Sequence, residues 1–434
     1  MDPVAYLFSL ETLGIKFGLE NIRALCDGLG HPERAYARVL VAGTNGKGSV
    51  TVMTETALRA AGHRVARYTS PHLIRLEERF VIDGQPVGTD DLAQAADAVR
   101  RAAESLIARG ALAGSPTFFE ATTAVAFELF RRARVGVAVL EVGMGGRLDA
   151  TNVEPALGAA ITNVDLDHQQ FLGQTVAEIA REKAGVIHPG TIAVLGDSNP
   201  EVVRVVAGVC RERGVRLVRT SEAAAASGTM LSSGRLRLEL RTARRVYAPL
   251  TLALRGRHQL DNAVTAAVLL EELDAAGMAV PADAVATGLT QASWPGRLEL
   301  FALGGHRILL DGAHNPAGAR ALTAYLRERY PEKLPIVFAA LRDKDAPGML
   351  AVLAPAASAF VLTEARTPRT RTTDDLAAYA RDVAQGVPAS VVPDPARAID
   401  EALARAAVIC VAGSLFLIGE VRALLEARGG RPAP

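Results

Sequence analysis

The chain reads as an α/β protein. A P-loop-containing, mainly parallel sheet domain comes first, and a smaller C-terminal Rossmann-like α/β domain follows. Three observations predict this. Short apolar runs alternate with helical patterns along most of the chain, as buried parallel strands and their covering helices do. A glycine-rich stretch with a lysine, "VAGTNGKGSV" (41–50), falls between one such run and the next helix. The alternation changes character over 232–254, then restarts after the sole tryptophan, Trp294.

In order, "RVLVAG" (38–43) reads as a buried strand, and "SVTVMTETALRAAG" (49–62) as a helix stopped by Gly62. "HRVARYTS" (63–70), "VGVAVLEVG" (135–143), "ALGAAITNV" (156–164) and "TIAVLG" (191–196) supply four more strands. Residues 232–254 alternate one by one, as half-exposed antiparallel strands do. "LDNAVTAAVLLEELDAAG" (260–277) is a helix, and "ASWPGRLEL" (292–300) reads as a link. Three further strands follow, in "HRILLDGAHN" (306–315), "LPIVFAAL" (334–341) and "SAFVLTEA" (358–365). A helix starts at Pro316. "AVICVAGS" (407–414) and a closing helix complete the pattern, and the tail "ARGGRPAP" is expected to fray. The domain boundary falls at Pro295, giving domains 1–295 and 296–434.

Composition narrows the function classes. At 434 residues, and roughly 150 per domain, the chain holds two or three domains. Charged residues make up 22% and nearly cancel to a net +1, which gives no electrostatic reason for nucleic acid or an anionic membrane as partner. No apolar run is long enough to span a bilayer, and no basic segment precedes one as in a secretion signal. Cys26, Cys210 and Cys410 fit neither a disulfide framework nor a zinc pattern, so they read as reduced core thiols of a cytoplasmic protein.

The loop from Gly43 to Ser49 departs from the common spacing G-x-x-x-x-G-K-[ST]. It nevertheless lies where a phosphate loop must, after a strand and before a helix. Glycines let backbone N–H groups converge on phosphate, and the helix N-terminus adds partial positive charge. Lys47 supplies a full charge, and Ser49 a hydroxyl for phosphate or magnesium. A plain strand-to-helix turn with an exposed lysine would use the same residues.

Ligands of parallel sheets gather at the carboxyl ends of the strands, and polar residues recur there. "TSPHL" offers Ser70 and His72, and "LEVGMGGRLDATN" offers Glu141, a carboxylate ending an apolar strand. Ser49, Ser70 and Glu141 would suit magnesium, which takes a few hard oxygens besides phosphate. Asp165, Asp167 and His168 are candidates for a second cation or for substrate. Lys183 in "REKAGVI" reads as a surface ion pair with Glu182, or joins a metal site only if converted to an anion. Asp311, His314 and Asn315 end a strand of the second domain. Asn262 is an N-cap or an adenine contact. Arg297 is a solvated charge, or reaches nucleotide phosphate from the link.

Twelve strings in order, among them "KFGLENI", "GTNGKGS", "YTSPHL", "PTFFEATTAVAF", "LEVGMGGRLDATN", "DHQQFLG", "REKAGVI", "HQLDNA", "PGRLE", "DGAHNP" and "GSLFLIGEVR", resemble the folylpolyglutamate synthase / dihydrofolate synthase family of Mur-ligase-like ATP-dependent amide ligases. The first domain would then be like a Mur-ligase central domain. The resemblance implies that Gly43, Thr44, Asn45, Gly46, Lys47, Gly48 and Ser49 cradle ATP, with Asn262, Arg297 and Asp311 as further contacts. It implies two magnesium ions, one on Ser49, Ser70 and Glu141, the other on His168 and a carbamylated Lys183. Pterin would meet Phe17, Leu19, Phe119, Asp149 and Ala150, and incoming glutamate would meet His314 and Ser414. Lys47, Lys183, His314 and Asp311 would carry the chemistry. The family often reads "GLER" where this chain has Asn21. The substrates implied are dihydropteroate, reduced folate and L-glutamate, joined through an acyl phosphate by a cytoplasmic monomer. A bifunctional bacterial enzyme fits best. Tail extension alone, or another P-loop phosphotransferase or NTPase, are the alternatives.

Overall fold

A computed structural model describes residues 2–14 and 16–433. The first sheet holds eight strands: β1 (Ala37–Ala42), β2 (Val65–Tyr68), β3 (Phe80–Ile82), β4 (Gln85–Pro86), β5 (Val137–Glu141), β6 (Gly158–Ile161), β7 (Ile192–Leu195) and β8 (Leu217–Arg219). Their order is β4-β3-β2-β5-β1-β6-β7-β8. β2, β5, β1, β6, β7 and β8 run parallel, and β3 and β4 add an antiparallel edge. The parallel strands are rich in Val, Leu and Ala because helices cover both of their faces. The chain leaves β1 towards β2 and β5, then crosses back to β6 on the other side. β1 is therefore the switch point, where a ligand crevice opens at the strand ends. The helix after it, Lys47–Ala60, starts at the lysine itself, two residues earlier than the apolar pattern indicated. Strands β3, β4 and β8 are too short to show a period in the sequence.

A three-stranded sheet follows, with β9 (Ala224–Met230), β10 (Arg235–Thr242) and β11 (Leu250–Arg255) in the order β11-β10-β9. β10 alternates buried and exposed residues, the period-two pattern visible in its sequence. The last sheet comprises β12 (Glu299–Leu303), β13 (His306–Leu310), β14 (Leu334–Phe338), β15 (Ala357–Leu362), β16 (Ala389–Val391), β17 (Val408–Ala412) and β18 (Arg431–Pro432). Their order is β16-β15-β14-β17-β13-β12-β18, parallel from β16 to β13.

Two expectations are corrected here. The link "ASWPGRLEL" runs into a strand, because β12 forms an antiparallel hairpin with β13. The tail does not fray, because Arg431 and Pro432 pair with Ala302 and Phe301 of β12. An edge strand offers open amides and carbonyls, and the tail satisfies them.

The chain divides into two compact units, Met1–Ser227 with Leu238–Leu250 and Asp261–Ala292, and Gly228–Arg237 with Thr251–Leu260 and Ser293–Pro434. All three cysteines are buried and unbridged. Among the described residues no helix is long and apolar enough to cross a membrane.

Candidate active site

The loop after β1 is shaped by two glycines and tied down from β6. Gly43 and Gly46 have φ of 149° and 82°. A Cβ on Gly43 would stand 1.8 Å from Thr162 Oγ1, and one on Gly46 2.3 Å from Asn262 Oδ1. Only glycine fits at either place. Thr162 donates to the Asn45 carbonyl at 2.6 Å. Asn163 accepts the Thr44 amide on its carbonyl and the Asn45 amide on Oδ1, both at 2.8 Å. Thr44 and Asn45 therefore shape the loop, and their amides are already committed. The first turn of the helix from Lys47 offers its amides no intrahelical acceptor, and a helix start so placed favours an anion. Asn262 lies against Gly46. Its helix, His258–Ala275, begins four residues earlier, so Asn262 is not an N-cap.

Two lysines converge on this loop. Lys47 Nζ donates to the carbonyls of Gly43 and Thr44, each at 3.1 Å. Lys183 Nζ donates to the same Gly43 carbonyl at 2.8 Å. Lys183 is 3% exposed, so it is no surface ion pair. Glu182 turns instead to Arg147, at 3.0 Å. Burial, then the charge of Lys47, pushes the Lys183 amine down to about 7, against the opposing pull of Asp167 and Asp149.

The neighbouring strand ends carry oxygen ligands. Glu141 closes β5 beside Val41 of β1, is 6% exposed, and accepts the Ser70 amide at 3.2 Å. Ser49 is buried in the first turn of the P-loop helix. His168 follows β6 with a left-handed backbone, φ 51°, rare for a non-glycine residue. Its Nε2 lies 3.9 Å from Asp167 Oδ1. Among the described residues no three His, Cys, Asp or Glu side chains form a metal cage.

An aromatic group adjoins these ends. Phe119 packs its ring on Gly143 and lies 6.2 Å from Tyr68. Asp149 spends its buried carboxylate on its own loop, accepting from Met144, from the Thr151 amide and from the Thr151 hydroxyl. Ala150 beside it is buried, as is Leu19. Phe17 is 45% exposed, and its ring lies 5.6 Å from that of Phe171. Asn21 is buried and donates to Glu120 at 3.3 Å.

In the second unit, Asp311 directly follows β13 and accepts the amides of Leu298 and Ala313, both at 3.0 Å. Burial raises its carboxyl, and the Arg297 guanidinium and those amides oppose the rise. His314 Nδ1 lies 2.8 Å from the Gly312 carbonyl, so that nitrogen carries the proton. Ser414, fully buried after β17, caps the helix Leu415–Ala427.

Comparison with known proteins decides the family. Residues 96–270 match the Mur ligase middle domain, and 296–415 the Mur ligase glutamate ligase domain. The dihydrofolate synthase/folylpolyglutamate synthase of Mycobacterium tuberculosis is 37% identical over 402 residues, 87% of this chain and 82% of that protein. The chain belongs to the dihydrofolate synthase/folylpolyglutamate synthase family.

These Mur-type enzymes are ATP-dependent ligases that form carbon–nitrogen bonds. FolC of E. coli, solved with DHPP and ADP, superposes with a TM-score of 0.87 at 31% identity, covering 99% of both chains. The bifunctional enzyme of Yersinia pestis CO92, solved with AMPPNP and a Mn ion, gives 0.82 at 33% identity, covering 98% of this chain and 97% of that one. The ends of the adjacent strands β2, β5 and β1 carry Ser70, Glu141 and the Gly43–Lys47 loop, and Lys183 reaches the Gly43 carbonyl of that loop. Thr162 and Asn163, which hold the loop, were missed. Their only signal is a polar pair closing the apolar run "ALGAAI".

Proposed function

We propose that this chain adds L-glutamate to dihydropteroate and to reduced folates, using ATP and passing through an acyl phosphate. The observation that carries this reading is the paired approach of Lys47 and Lys183 to the Gly43 carbonyl, beside the Glu141 carboxylate. Cationic and metal-binding groups meet there at a glycine-shaped helix start. A carboxylate is a poor electrophile. Its oxygen attacks the γ-phosphorus of ATP, the bond to the β,γ-bridging oxygen breaks, and ADP leaves. The glutamate amine then attacks the acyl carbon, and phosphate departs with one carboxylate oxygen. Positioning and charge neutralisation drive such a transfer.

We assign the first-turn amides and Lys47 to the ATP phosphates, with Asn262, Arg297 and Asp311 as further nucleotide contacts. Ser49, Ser70 and Glu141 would hold one magnesium ion, and His168 with carbamylated Lys183 a second. Magnesium supplies charge neutralisation at the phosphates when bound. The depressed Lys183 amine supports carbamylation, because only a neutral amine attacks carbon dioxide. The anion formed would also end its repulsion with Lys47. Phe119 and the Asp149 loop would receive the pterin, together with Phe17, Leu19 and Ala150. His314 and Ser414 would position glutamate. We infer a monomer working in the cytoplasm, a reading that unbridged cysteines fit.

The test is a coupled ADP-release assay with products identified by mass. Release that needs both glutamate and dihydropteroate and yields dihydrofolate is expected. Turnover with reduced folate alone would mean tail extension only, and a stable phosphorylated product without amine dependence would mean a kinase.

A further inference from the structure

We infer that Arg255 is a positioning residue for the nucleotide contact, holding the strained Leu298 peptide so that the Arg297 guanidinium stays on Gly312 beside Asp311. The inference rests on the ligase reading above, which assigns Arg297 and Asp311 to ATP.

Leu298 has φ 46° and is 1% exposed. A bulky side chain in that left-handed region is an outlier. Such backbone persists only where the surrounding structure over-determines it. Here the residue is held from both sides. Its N–H donates to Asp311 Oδ2 at 3.0 Å, and its carbonyl accepts from Arg255 Nη1 at 3.3 Å. Its side chain lies against Gly256, where a Cβ would stand 2.7 Å from Leu298 Cδ1.

The preceding residue is Arg297. Its Nη1 donates to the Gly296 carbonyl at 3.2 Å, and a Cβ on Gly312 would stand 2.2 Å from that same nitrogen. The guanidinium therefore lies on the Gly312 backbone, next to Asp311, whose carboxyl feels its charge. Before Arg297 the turn is pinned at Gly296. Its carbonyl accepts the Gly312 amide at 2.8 Å, and its amide donates at 2.8 Å to Glu299, which pairs with Arg422 at 3.2 Å. After Arg297 the pins are Asp311 and Arg255. Asp311 is itself assigned to the nucleotide, so Arg255 is the anchor that does not depend on the ligand.

Arg255 is shaped for this task. It ends β11, is 7% exposed, and donates from Nε to the Ser233 carbonyl at 3.3 Å and from Nη2 to the Ala433 carbonyl at 3.1 Å. Each of its three nitrogens thus meets a carbonyl from a different segment of the second unit. A planar fork fixes all three directions at once, whereas an ammonium is a point charge on a flexible stem.

Calorimetry of the intact protein with AMPPNP and magnesium tests this, beside KM values for ATP and for glutamate. Arg297→Met sets the reference and should weaken AMPPNP about 10- to 100-fold, the loss of a charge-assisted contact. Arg255→Met should weaken it about tenfold, raise the KM for ATP in parallel and leave the KM for glutamate within about twofold. Arg255→Lys should recover part of that loss. Two backgrounds identify the route, because glycine adopts the Leu298 conformation freely and alanine does not. Arg255→Met should cost about tenfold in Leu298→Ala and about twofold or less in Leu298→Gly. Unchanged AMPPNP affinity in Arg255→Met, or equal losses in the two backgrounds, would overturn the inference. If Arg255→Met does not fold, Arg255→Lys is compared in the same backgrounds, with a loss expected in Leu298→Ala and equal losses as the contrary result. Full AMPPNP affinity in Arg297→Met would instead strike the nucleotide assignment of the ligase reading.

Discussion

Each unit carries a strand-to-helix turn at the carboxyl end of an interior parallel strand, and the two are built in opposite ways. After β1 the turn is emptied of side chains at Gly43 and Gly46 and anchored from outside by Thr162 and Asn163. Its helix starts at a lysine. After β13 the turn is filled by its own side chains. Asp311 takes the amides of Leu298 and Ala313, His314 turns to the Gly312 carbonyl, and Asn315 caps Gly318. The first turn exposes backbone, which suits the polyanion proposed for it. The second is made to hold a few side chains in fixed directions. On the proposed function, similar topology would serve phosphate binding in one place and side-chain positioning in the other.

Substitutions can break that contrast, and the largest effect belongs to the first turn. Lys47→Ala should lower turnover by about a thousandfold or more, since phosphoryl transfer rests on charge and positioning. Circular dichroism should be unchanged, and steady-state ADP release measures the loss. Near wild-type turnover would mean the loop is not a phosphate cradle. In the second turn, His314→Ala should cost about a hundredfold in kcat/KM for glutamate, the scale of a lost positioned group. ADP affinity measured by calorimetry should not move. A parallel loss of nucleotide binding would blur the distinction between the turns.

Lys183 sharpens the account through pH. Its amine titrates near 7 when folded, against an ordinary value near 10.5. Between these limits the unfolded chain binds more protons, so stability rises with pH across the window and the cost of the buried charge is complete below it. Lys183→Met should therefore abolish ligation yet raise the melting temperature most at pH 6, in carbon dioxide-free buffer. The gain should fade towards pH 10. A pH-independent gain would show that the amine is not depressed. The smallest effect is structural. Asn315→Ala removes a helix cap and should cost about 1 kcal/mol of stability, read as a lowered denaturation midpoint, with nucleotide affinity unchanged.

Much of this was legible in the sequence because it is local. Parallel strands announce themselves as apolar runs, and the polar residues assigned to the site end or follow them within a few residues, as Lys47, Ser70, Glu141 and Asp311 do. What escaped depends on contacts between distant segments. β12 looked like a linker because only its pairing with β13 makes it a strand, and the tail looked loose because β12 lay unseen. Lys183 looked like a surface residue beside Glu182, since no local pattern says that its helix end turns inward to Gly43.

The central claim is that cations at the rim of the first sheet turn an inert acid into an acyl phosphate. Dihydropteroate labelled with oxygen-18 in its carboxylate tests it directly, by mass analysis of the phosphate released during amide formation. The account predicts one labelled oxygen in each phosphate formed. Unlabelled phosphate released together with dihydrofolate would contradict it.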